Sequence, residues 1–458
     1  MARGKKKETL TPEERLQATL VPESEQPYPV PGNWCWVKVG TISKVKGGKR
    51  LPKGRTFLGE KSDYPYIRVT DFDNESISIE NVKYIDCDTH MMIKNYTISS
   101  ADIYISIAGT IGKVGIIPEE LEGANLTENA AKITDINGAY QLYLMLFLKS
   151  EVAQNQMKDS TISTTQPKLA LFRIEDILLP LPPLSEQLRV VDRIENLFVK
   201  LDEARQKAQD ALDSFETRKA AILHKAFTGE LTAQWRKEHG VGMESWETKP
   251  LGEFLELITY GFTNPMPDAD IGPWKITARS IHDGYIDYSI SRKTTQEAFD
   301  NLLTDKSRPR VNDVLLTKDG SIGRVSVVDR AGICINQSVA LLRPTSKVKP
   351  DFLRDLLQSP EKQKIMELQS GGTALKHIYI TRVDKMEISV PSLAEQVEIC
   401  NLVNNFIAKE QQAKEAAEGV LGQIDLMKKA ILARAFRGEL GTNDPREESA
   451  VELLKQVL

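Results

Sequence analysis

The sequence predicts an α+β fold: two globular α/β modules, separated by two long helices. The helices are predicted either to dimerise with another chain or, packed antiparallel, to form an intramolecular coiled coil with pseudo-two-fold symmetry. Three observations lead to this prediction. The stretch AILHKAFTGEL at 221–231 is nearly repeated as AILARAFRGEL at 430–440. Each copy closes a segment with heptad-spaced apolar residues, and each follows a longer, diverged segment with mixed strand and helix patterns.

The repeat extends well beyond the quoted stretches. At an offset of 209 positions, 17 of the 48 residues in Leu184–Leu231 are identical in Leu393–Leu440, including a Glu-Gln pair. Further upstream the match is looser, and Trp36-x-x-Val-Gly is echoed by Trp246 with Leu251-Gly252. The repeat divides the chain into an N-terminal extension (1–33), a first module (34–180), a first helical spacer (181–245), a second module (246–389) and a second helical spacer with a tail (390–458).

Each variable module contains a glycine turn between two apolar runs. DIYISIAGTIGKVGII at 102–117 predicts two strands around Gly109 to Gly112, and DVLLTKDGSIGRVSVV at 313–328 predicts the same around Gly320 to Gly323. A helical stretch and then a polar loop follow in both modules, which supports the α+β assignment.

The two spacers are predicted to be helical, the first as one continuous helix from Ser185 to Phe227, about 64 Å long. Ser392 and Glu395 form a capping box for the second helix, and Gly229 and Gly438 stand where helices end. Central alanines favour close packing of the two helices. The predicted seam consists of Val190, Ile194, Leu197, Leu201, Ala204, Ala208, Ala211 and Phe215 in the first helix, and Ile399, Val403, Phe406, Ala413, Ala417, Val420 and Ile424 in the second, where Glu410 interrupts it.

Composition narrows the class of protein. A hydrophobic content of 41%, a charged content of 27% and a net charge of −4 are ordinary for a globular chain. The sequence shows no secretory signal and no membrane span, which predicts a cytoplasmic location. The four cysteines are far apart, so we expect buried free thiols and no metal site.

Motifs for catalysis are missing from the sequence. The stretch GGKR at 47–50 lacks the spacing of a phosphate-binding loop. NPMP at 264–267 lacks the aromatic residue that would stack on a flipped base, and EKQ at 361–363 has glutamine where a nuclease-like site uses lysine. No catalytic residue is therefore predicted.

Longer stretches resemble a known family. PYPVPGNWCWVKVG, LPPLSEQLRVVDRIENLF and KAAILHKAFTGELTAQWR, with the second copies VPSLAEQVEICNLV and KKAILARAFRGEL, resemble the specificity subunits of type I restriction–modification systems. The resemblance covers about Thr11 to Leu440. The departures are Pro391-Ser392 in place of a double proline and Glu410 on the seam.

The resemblance implies a non-catalytic subunit of host defence by DNA methylation. Each module would be a target recognition domain that reads half of a bipartite site in double-stranded DNA. The paired helices would set the gap between half-sites and dock the modification subunits, which bind S-adenosylmethionine. Restriction subunits would add ATP-dependent translocation and Mg-dependent cleavage; this chain itself would bind no cofactor, and no membrane.

Phosphate contacts should provide affinity and base contacts specificity, so the candidate DNA-binding residues are basic or polar. They lie in the basic cluster 46–61, in the glycine turns, in the polar loops and at further positions of the second module. In the first module they are Lys46, Lys49, Arg50, Lys53, Arg55, Thr110, Lys113, Thr164, Thr165, Gln166 and Lys168. In the second module they are Asn264, Arg279, Arg292, Lys293, Arg308, Arg310, Lys318, Ser321, Arg324, Thr373, Lys376 and His377.

Two alternative functions stay open at the level of the sequence. A fused methyltransferase or nuclease would transfer methyl groups or cleave DNA as a purified chain. A coiled-coil scaffold with protein-binding modules would bind no duplex, even together with modification subunits. The missing catalytic motifs oppose the first alternative, and the basic cluster at 46–61 opposes the second.

Overall fold

A computed structural model describes residues 11–159, 167–371 and 376–457. The chain forms two compact units. Unit 1 comprises Met1–Lys207 and Val420–Leu458, and unit 2 comprises Ala208–Gly419. Each helical spacer therefore contributes its first part to one unit and its second part to the other.

The first module lies in unit 1. Its strands form a four-stranded sheet (order β2-β10-β7-β8), a three-stranded sheet (β6-β3-β9) and the pairs β1-β11 and β4-β5. The elements are α1 (Pro12–Thr19), β1 (Cys35–Lys38), α2 (Val39–Ile42), β2 (Lys44–Gly47), β3 (Pro65–Ile67), β4 (Phe72–Asp73), β5 (Ser76–Ile77), β6 (Lys83–Tyr84), α3 (Cys87–Met92), β7 (Ile103–Ser106), β8 (Val114–Gly115), β9 (Asn125–Leu126), β10 (Ala130–Thr134), α4 (Gln141–Lys149), α5 (Glu151–Asp159), α6 (Leu171–Glu175) and β11 (Leu178–Leu181).

The first spacer forms three helices, α7 (Leu184–Asp213), α8 (Phe215–Phe227) and α9 (Ala233–His239). The predicted continuous helix is thus wrong at Ser214. The Oγ of Ser214 donates a hydrogen bond to the carbonyl of Asp210 at 2.8 Å, a back-bond to residue i−4 of the kind that bends helices. Gly229 has a φ of +81° just beyond α8, which confirms the predicted glycine at that helix end.

The second module lies in unit 2 and repeats the strand orders of the first, as β13-β21-β18-β19, β17-β14-β20, β12-β22 and β15-β16. In both modules one pair of the three-stranded sheet is parallel, β3-β9 and β14-β20. The elements are β12 (Glu247–Pro250), β13 (Leu255–Tyr260), β14 (Ala269–Ile276), β15 (Ile281–His282), β16 (Tyr285–Ile286), β17 (Arg292–Lys293), α10 (Gln296–Leu302), β18 (Val314–Thr317), β19 (Val325–Val327), β20 (Ile333–Ile335), β21 (Val339–Pro344), α11 (Pro350–Leu357), α12 (Pro360–Gln369), α13 (Ile380–Asp384) and β22 (Glu387–Val390).

The second spacer forms the 43-residue helix α14 (Leu393–Ala435), followed by α15 (Ala450–Val457). In unit 1, α14 pairs with α7 through Lys428–Asp202 at 2.6 Å and Arg205–Asp425. As residue numbers rise along α7 they fall along α14, so the two helices are antiparallel there. The α+β prediction, with two modules and antiparallel long helices, is confirmed.

In unit 2, α8 and α14 are also antiparallel. Arg218 Nε lies 2.6 Å from a carboxylate oxygen of Glu410, and Lys414 lies over the ring of Phe215 at 4.9 Å. Glu410, which interrupts the predicted seam, is therefore neutralised by an arginine from the facing helix.

The seam in the first half of α14 differs from the prediction at two positions. Phe406 is 39% exposed and Ala413 is exposed, whereas Ile407 packs against the core of unit 2. From Ile399 the inward-facing residues step by four, four and three to Glu410. Eleven residues in three turns, about 3.67 per turn, match a straight helix better than a heptad does, so the buried stripe moves from 406 to 407.

The other seam positions are buried or half-buried, with one exception. Val420 is 39% exposed, while the neighbouring Leu421 is half-buried. Fully or nearly buried positions are Val190, Ile194, Ala208, Phe215, Ile399, Val403, Ala417 and Ile424. Half-buried positions are Leu197, Leu201, Ala204 and Ala211.

A buried Glu-Gln pair anchors each long helix to its module. In unit 1, Trp34 Nε1 donates to Glu186 at 2.8 Å, and the backbone N–H of Tyr140 donates to Gln187 at 2.6 Å. In unit 2, Trp246 Nε1 donates to Glu395 at 3.1 Å, and the N–H of Lys349 donates to Gln396 at 2.8 Å. These contacts give the repeated Glu-Gln sequence its structural role.

The anchors correct two predictions. Trp34, and not Trp36, is the counterpart of Trp246, because it makes the same indole-to-glutamate bond. The capping box at Ser392 is only half formed: its hydroxyl accepts from the N–H of Glu395, but the Glu395 carboxylate instead pairs with Arg236 at 2.6 Å. A buried indole and guanidinium hold the carboxylate away from the helix end.

The cysteine prediction holds for three residues out of four. Cys35, Cys334 and Cys400 are free and buried, and burial raises the pKa of each thiol to about 12. Cys87 is free but exposed. It begins the short helix α3 at the module surface.

Candidate nucleic-acid interface

The glycine turn is built in the same way in both modules. In the first, the Oγ of Ser106 accepts from the N–H of Lys113 at 2.9 Å and donates to the carbonyl of Thr110. In the second, Thr317 makes the same two bonds to Arg324 and Ser321. The side chain at the end of the first strand therefore closes the turn and presents a basic residue at its far side.

Positive φ angles explain the glycines of these turns. Gly109 and Gly112 have φ of +75° and +87°, and Gly320 and Gly323 have φ of +78° and +93°. Residues with a Cβ rarely adopt these angles. The predicted strand–turn–strand units are confirmed.

A glutamine supports each glycine turn from behind. Gln154 Nε2 donates to the carbonyls of Gly112 at 2.9 Å and Leu148 at 2.7 Å. Gln363 makes the equivalent bonds to Gly323 and Leu357 at 2.8 and 2.7 Å. Gln363 therefore positions the turn, which explains why EKQ is not a nuclease site.

The polar loop of each module returns beside the glycine turn. The N–H of Leu169 donates to the carbonyl of Ile107 at 2.9 Å, which brings the exposed Lys168 next to the turn. In the second module the N–H of Ile378 donates to Lys318 at 2.9 Å, and His377 Nδ1 contacts the Asp319 carboxylate. The backbone carbonyl of Lys376 accepts a hydrogen bond from the N–H of Gly320, and its exposed side chain forms an ion pair with Glu367. The predicted Thr164, Thr165, Gln166 and Thr373 lie outside the described residues.

The basic cluster at 46–61 runs along the surface of the first module, and several of its side chains are paired with carboxylates. Ion pairs join Lys46 to Asp135 at 3.7 Å, Arg50 to Glu128 at 2.5 Å and Arg55 to Asp86 at 3.6 Å. Lys49 lies 5.5 Å from the centre of the Tyr96 ring, and Lys53 is exposed. The cluster therefore carries less free positive charge than its sequence suggests.

Carboxylates near this cluster respond to the basic side chains. A hydrogen bond from Lys44, with its charge and that of Lys46, lowers the pKa of Asp135. Burial acts to raise the pKa of Glu128, but hydrogen bonds from Arg50, its own backbone and Thr127 outweigh it and leave the pKa below its usual value. Both carboxylates are thus ionised partners of the basic residues at neutral pH.

Candidates in the second module fall into two groups. Asn264, Arg279, Arg310 and Ser321 are exposed, and Arg310 lies 3.6 Å from Asp305. Other exposed or half-buried candidates have side-chain or backbone partners within the module. These partners are Asp268 for Arg292, the Trp274 ring for Lys293 and the carbonyl of Ile281 for Arg324.

Two candidates have mainly internal contacts. Arg308 donates to the carbonyls of Asp300 and Leu303 at 2.7 and 2.6 Å. Lys318 is buried, with its Nζ 3.2 Å from Asp319 and 5.2 Å from the centre of the Tyr260 ring. A DNA-contact role for these two side chains stays a prediction, and their contacts favour a structural role.

The structure also reveals residues that sequence reasoning missed. Arg68, Thr70 and Asn129 line a surface recess of about 370 Å³ together with Arg50 and Phe57. Arg68 and Thr70 come from one segment and Asn129 from another, and no spacing in the sequence relates the two segments. Only the pairing of β3 with β9 brings their positions together.

No group of three or more histidine, cysteine, aspartate or glutamate side chains among the residues that the structure describes is arranged to hold a metal ion. Among the described helices, none is both long and apolar enough to cross a membrane.

Comparison with known proteins assigns the sequence to one family. Residues 31–210 and 243–418 both match the family described as the type I restriction modification DNA specificity domain. The chain is 30% identical over 180 residues to the specificity subunit of the type I restriction enzyme EcoBI of Escherichia coli, an alignment that spans 39% of this chain and 38% of that protein. It is 20% identical to the EcoKI specificity subunit of Escherichia coli strain K12 over 426 residues, or 90% of each protein.

Solved structures share the fold. The HsdS subunit from Thermoanaerobacter tengcongensis superposes with a TM-score of 0.62 at 21% identity, over 91% of this chain and all of that one. A chain from a study of complex assembly and conformational transition of the type I R-M system superposes with a TM-score of 0.66 at 22% identity, over 90% of this chain and all of that one. The chain carries two copies of the family domain along most of its length, and it belongs to the family of non-catalytic type I restriction–modification DNA specificity subunits.

Proposed function

We propose that the first module reads one half of a bipartite sequence in double-stranded DNA and that the second module reads the other half. The observation that carries this proposal is the duplicated glycine turn. In both modules it presents a basic residue, Lys113 or Arg324, beside a polar loop that ends in Lys168 or His377. A basic and polar surface built twice on equivalent frames fits two half-sites of related geometry and different sequence.

The proposed partners follow from the family. The long helices would dock modification subunits that use S-adenosylmethionine, and restriction subunits that use ATP and Mg would join the assembly. The paired helices would also set the gap between the half-sites. The antiparallel ion pairs Asp202–Lys428 and Arg218–Glu410 support such a rigid spacer. We place this assembly in the cytoplasm.

The experiment is to map methylated adenines in a cell that carries the modification subunits, with and without this chain. We expect a single bipartite motif with a fixed gap that appears only when the chain is present. Purified chain alone should transfer no methyl group. Methylation that is independent of this chain, or that lacks a two-part motif, would contradict the proposal.

A module exchange tests the division of labour. Replacing residues 46–180 by the corresponding module of a relative should change one half of the motif and leave the other half and the gap unchanged. A change in both halves would show that the modules do not read independently.

The comparisons do not support the two alternative functions. The relatives described above are specificity subunits, and the EcoKI subunit is matched over 90% of its length.

A further inference from the structure

A tripeptide occupies the same position in both modules. It is Thr127-Glu128-Asn129 after β9 in the first module and Asn336-Gln337-Ser338 after β20 in the second. No feature of the sequence singles it out, because the two copies share no residue. The equivalence rests on backbone hydrogen bonds alone.

Those bonds reach the tripeptide from separate segments. Its first N–H donates to the strand before it in the sheet, Thr127 to Ile67 at 3.0 Å and Asn336 to Ile276 at 3.2 Å. Its last carbonyl accepts from the start of the glycine turn. These bonds come from Ile107 to Asn129 at 2.8 Å and from Lys318 to Ser338 at 3.0 Å.

The residues next to the tripeptide are fixed as well. The N–H of Gly48 donates to Ala130 at 2.9 Å, and that of Gly261 to Val339 at 3.4 Å. A Cβ on Gly48 would lie 2.0 Å from the carbonyl oxygen of Thr127, and one on Gly261 would lie 1.8 Å from that of Ile335. Only glycine permits this close approach. The basic cluster 46–61 in the first module, and the segment that contains Gly261 in the second, therefore lie directly against this part of the chain.

In the second module the middle side chain is the most exposed of the three, whereas in the first module the neighbouring Asn129 is exposed as well. Gln337 is exposed, and Glu128 is half-buried in its ion pair with Arg50. A backbone held at both ends is already ordered before binding, which suits its side chains to read a ligand.

The bond equivalences also align the surrounding side chains. Counting on from Ile67 and Ile276 places Thr70 opposite Arg279, and counting on from Gly48 and Gly261 places Leu51 opposite Asn264. In the first module the tripeptide, Arg50, Leu51 and Thr70 all line the recess of about 370 Å³. By this count, Arg279 and Asn264 are the counterparts in the second module of residues that line the recess in the first.

We propose that the middle residue of this tripeptide, Glu128 in the first module and Gln337 in the second, is a specificity-determining residue that reads a base edge in the major groove. This inference rests on the proposed function. Glutamine can bond the N6 and N7 atoms of adenine, and glutamate accepts a hydrogen bond from the N4 amino group of cytosine. Arg50 offsets the repulsion between the Glu128 carboxylate and DNA phosphates.

Reciprocal exchange tests the inference. Glu128→Gln and Gln337→Glu are made in the full chain, expressed with modification subunits, and methylated motifs are mapped by sequencing. We expect each change to alter one base pair in one half-site, with a preference shift of roughly ten- to a hundredfold. Gln337→Glu should move the preference from adenine towards cytosine, and Glu128→Gln should do the opposite in the other half-site.

The matched control for Gln337→Glu is Asn301→Asp. It adds the same negative charge on an exposed residue of α10. It should leave the motif unchanged. If an exchange variant fails to copurify with the modification subunits, Gln337→Ala replaces it and should broaden one position of the motif.

The mapping experiment distinguishes failure of the proposed function from failure of the residue assignment. If the wild-type chain directs no bipartite methylation, the proposed function fails. If the wild-type chain reads a bipartite site and folded variants at both positions keep every base of the motif, the inference is overturned while the function stands.

Discussion

At the scale of single residues, the buried glutamates show how one repeated sequence can be stabilised in two ways. Glu395 pairs with Arg236 and also accepts from Thr232 Oγ1 at 2.7 Å. Glu186 accepts from Trp34 and, at 3.3 Å, from Thr442 Oγ1. The carboxylate of Glu395 has a buried cation as its partner, whereas the carboxylate of Glu186 accepts hydrogen bonds from neutral donors.

Glu395→Ala should lower the free energy of unfolding of unit 2 by about 3–5 kcal/mol, because it leaves the buried Arg236 without its carboxylate. Denaturant titration measures the loss. The control is Glu247→Ala, which removes an exposed partner of Lys249 and should have a much smaller effect, because solvent screens the pair. Equal effects of the two substitutions would contradict a structural role for the buried pair.

Glu186 should make the stability of unit 1 depend on pH. Burial raises the pKa of its carboxyl, in spite of the hydrogen bond from Trp34. The folded state therefore holds the proton more tightly than the unfolded state, so stability gained at acidic pH is lost as the pH rises through the raised pKa.

The Glu186→Gln variant removes this titration. The free energy of unfolding of the wild type, relative to the variant, should increase as the pH falls from 7 towards the ordinary carboxyl range. Unfolding curves of both proteins at several pH values check it. A difference that is constant with pH, or that decreases on acidification, would show that the carboxyl does not titrate as inferred.

At the scale of elements, the buried stripe of α14 departs from the heptad in the three turns from Ile399 to Glu410. Ile407→Ala should destabilise unit 2 by about 1–2 kcal/mol, because it removes partly buried apolar contacts. Phe406→Ala, one position earlier, should cost less, since that side chain is 39% exposed. Thermal or denaturant unfolding distinguishes the two variants. A larger loss of stability for Phe406→Ala would support the predicted heptad position instead.

The glycine turns illustrate how much of an element the sequence predicts. Two apolar runs around Gly109 and Gly112 were enough to predict the hairpin, because the signal is local. The side chains that complete it, Ser106 and Gln154, could not be assigned from spacing. Gln154 lies 42 residues from Gly112, to which it donates its hydrogen bond.

At the scale of the whole molecule, the helical spacer should act as a length standard. Inserting seven residues of helix after Ala208 and another seven after Ala417 preserves the heptad phase and adds about 10 Å to each helix. The gap in the methylated motif should lengthen by about three base pairs, at about 3.4 Å per pair. Motif mapping provides the measurement, and an assembled complex with an unchanged gap would refute the spacer role.

The sequence by itself determined the fold class, the duplicated modules, the glycine turns and the long helices, because periodicity and repetition can be recognised without knowing which residues meet in space. Only the tertiary structure decided that Glu395 serves Arg236 and Trp246 instead of a capping box, and that Trp34 is the anchoring indole. It alone brought Glu128 and Gln337 to equivalent positions. The physical reason is that these assignments depend on hydrogen bonds between residues far apart in the chain, whose donors and acceptors meet only when the sheets pair and the helices pack.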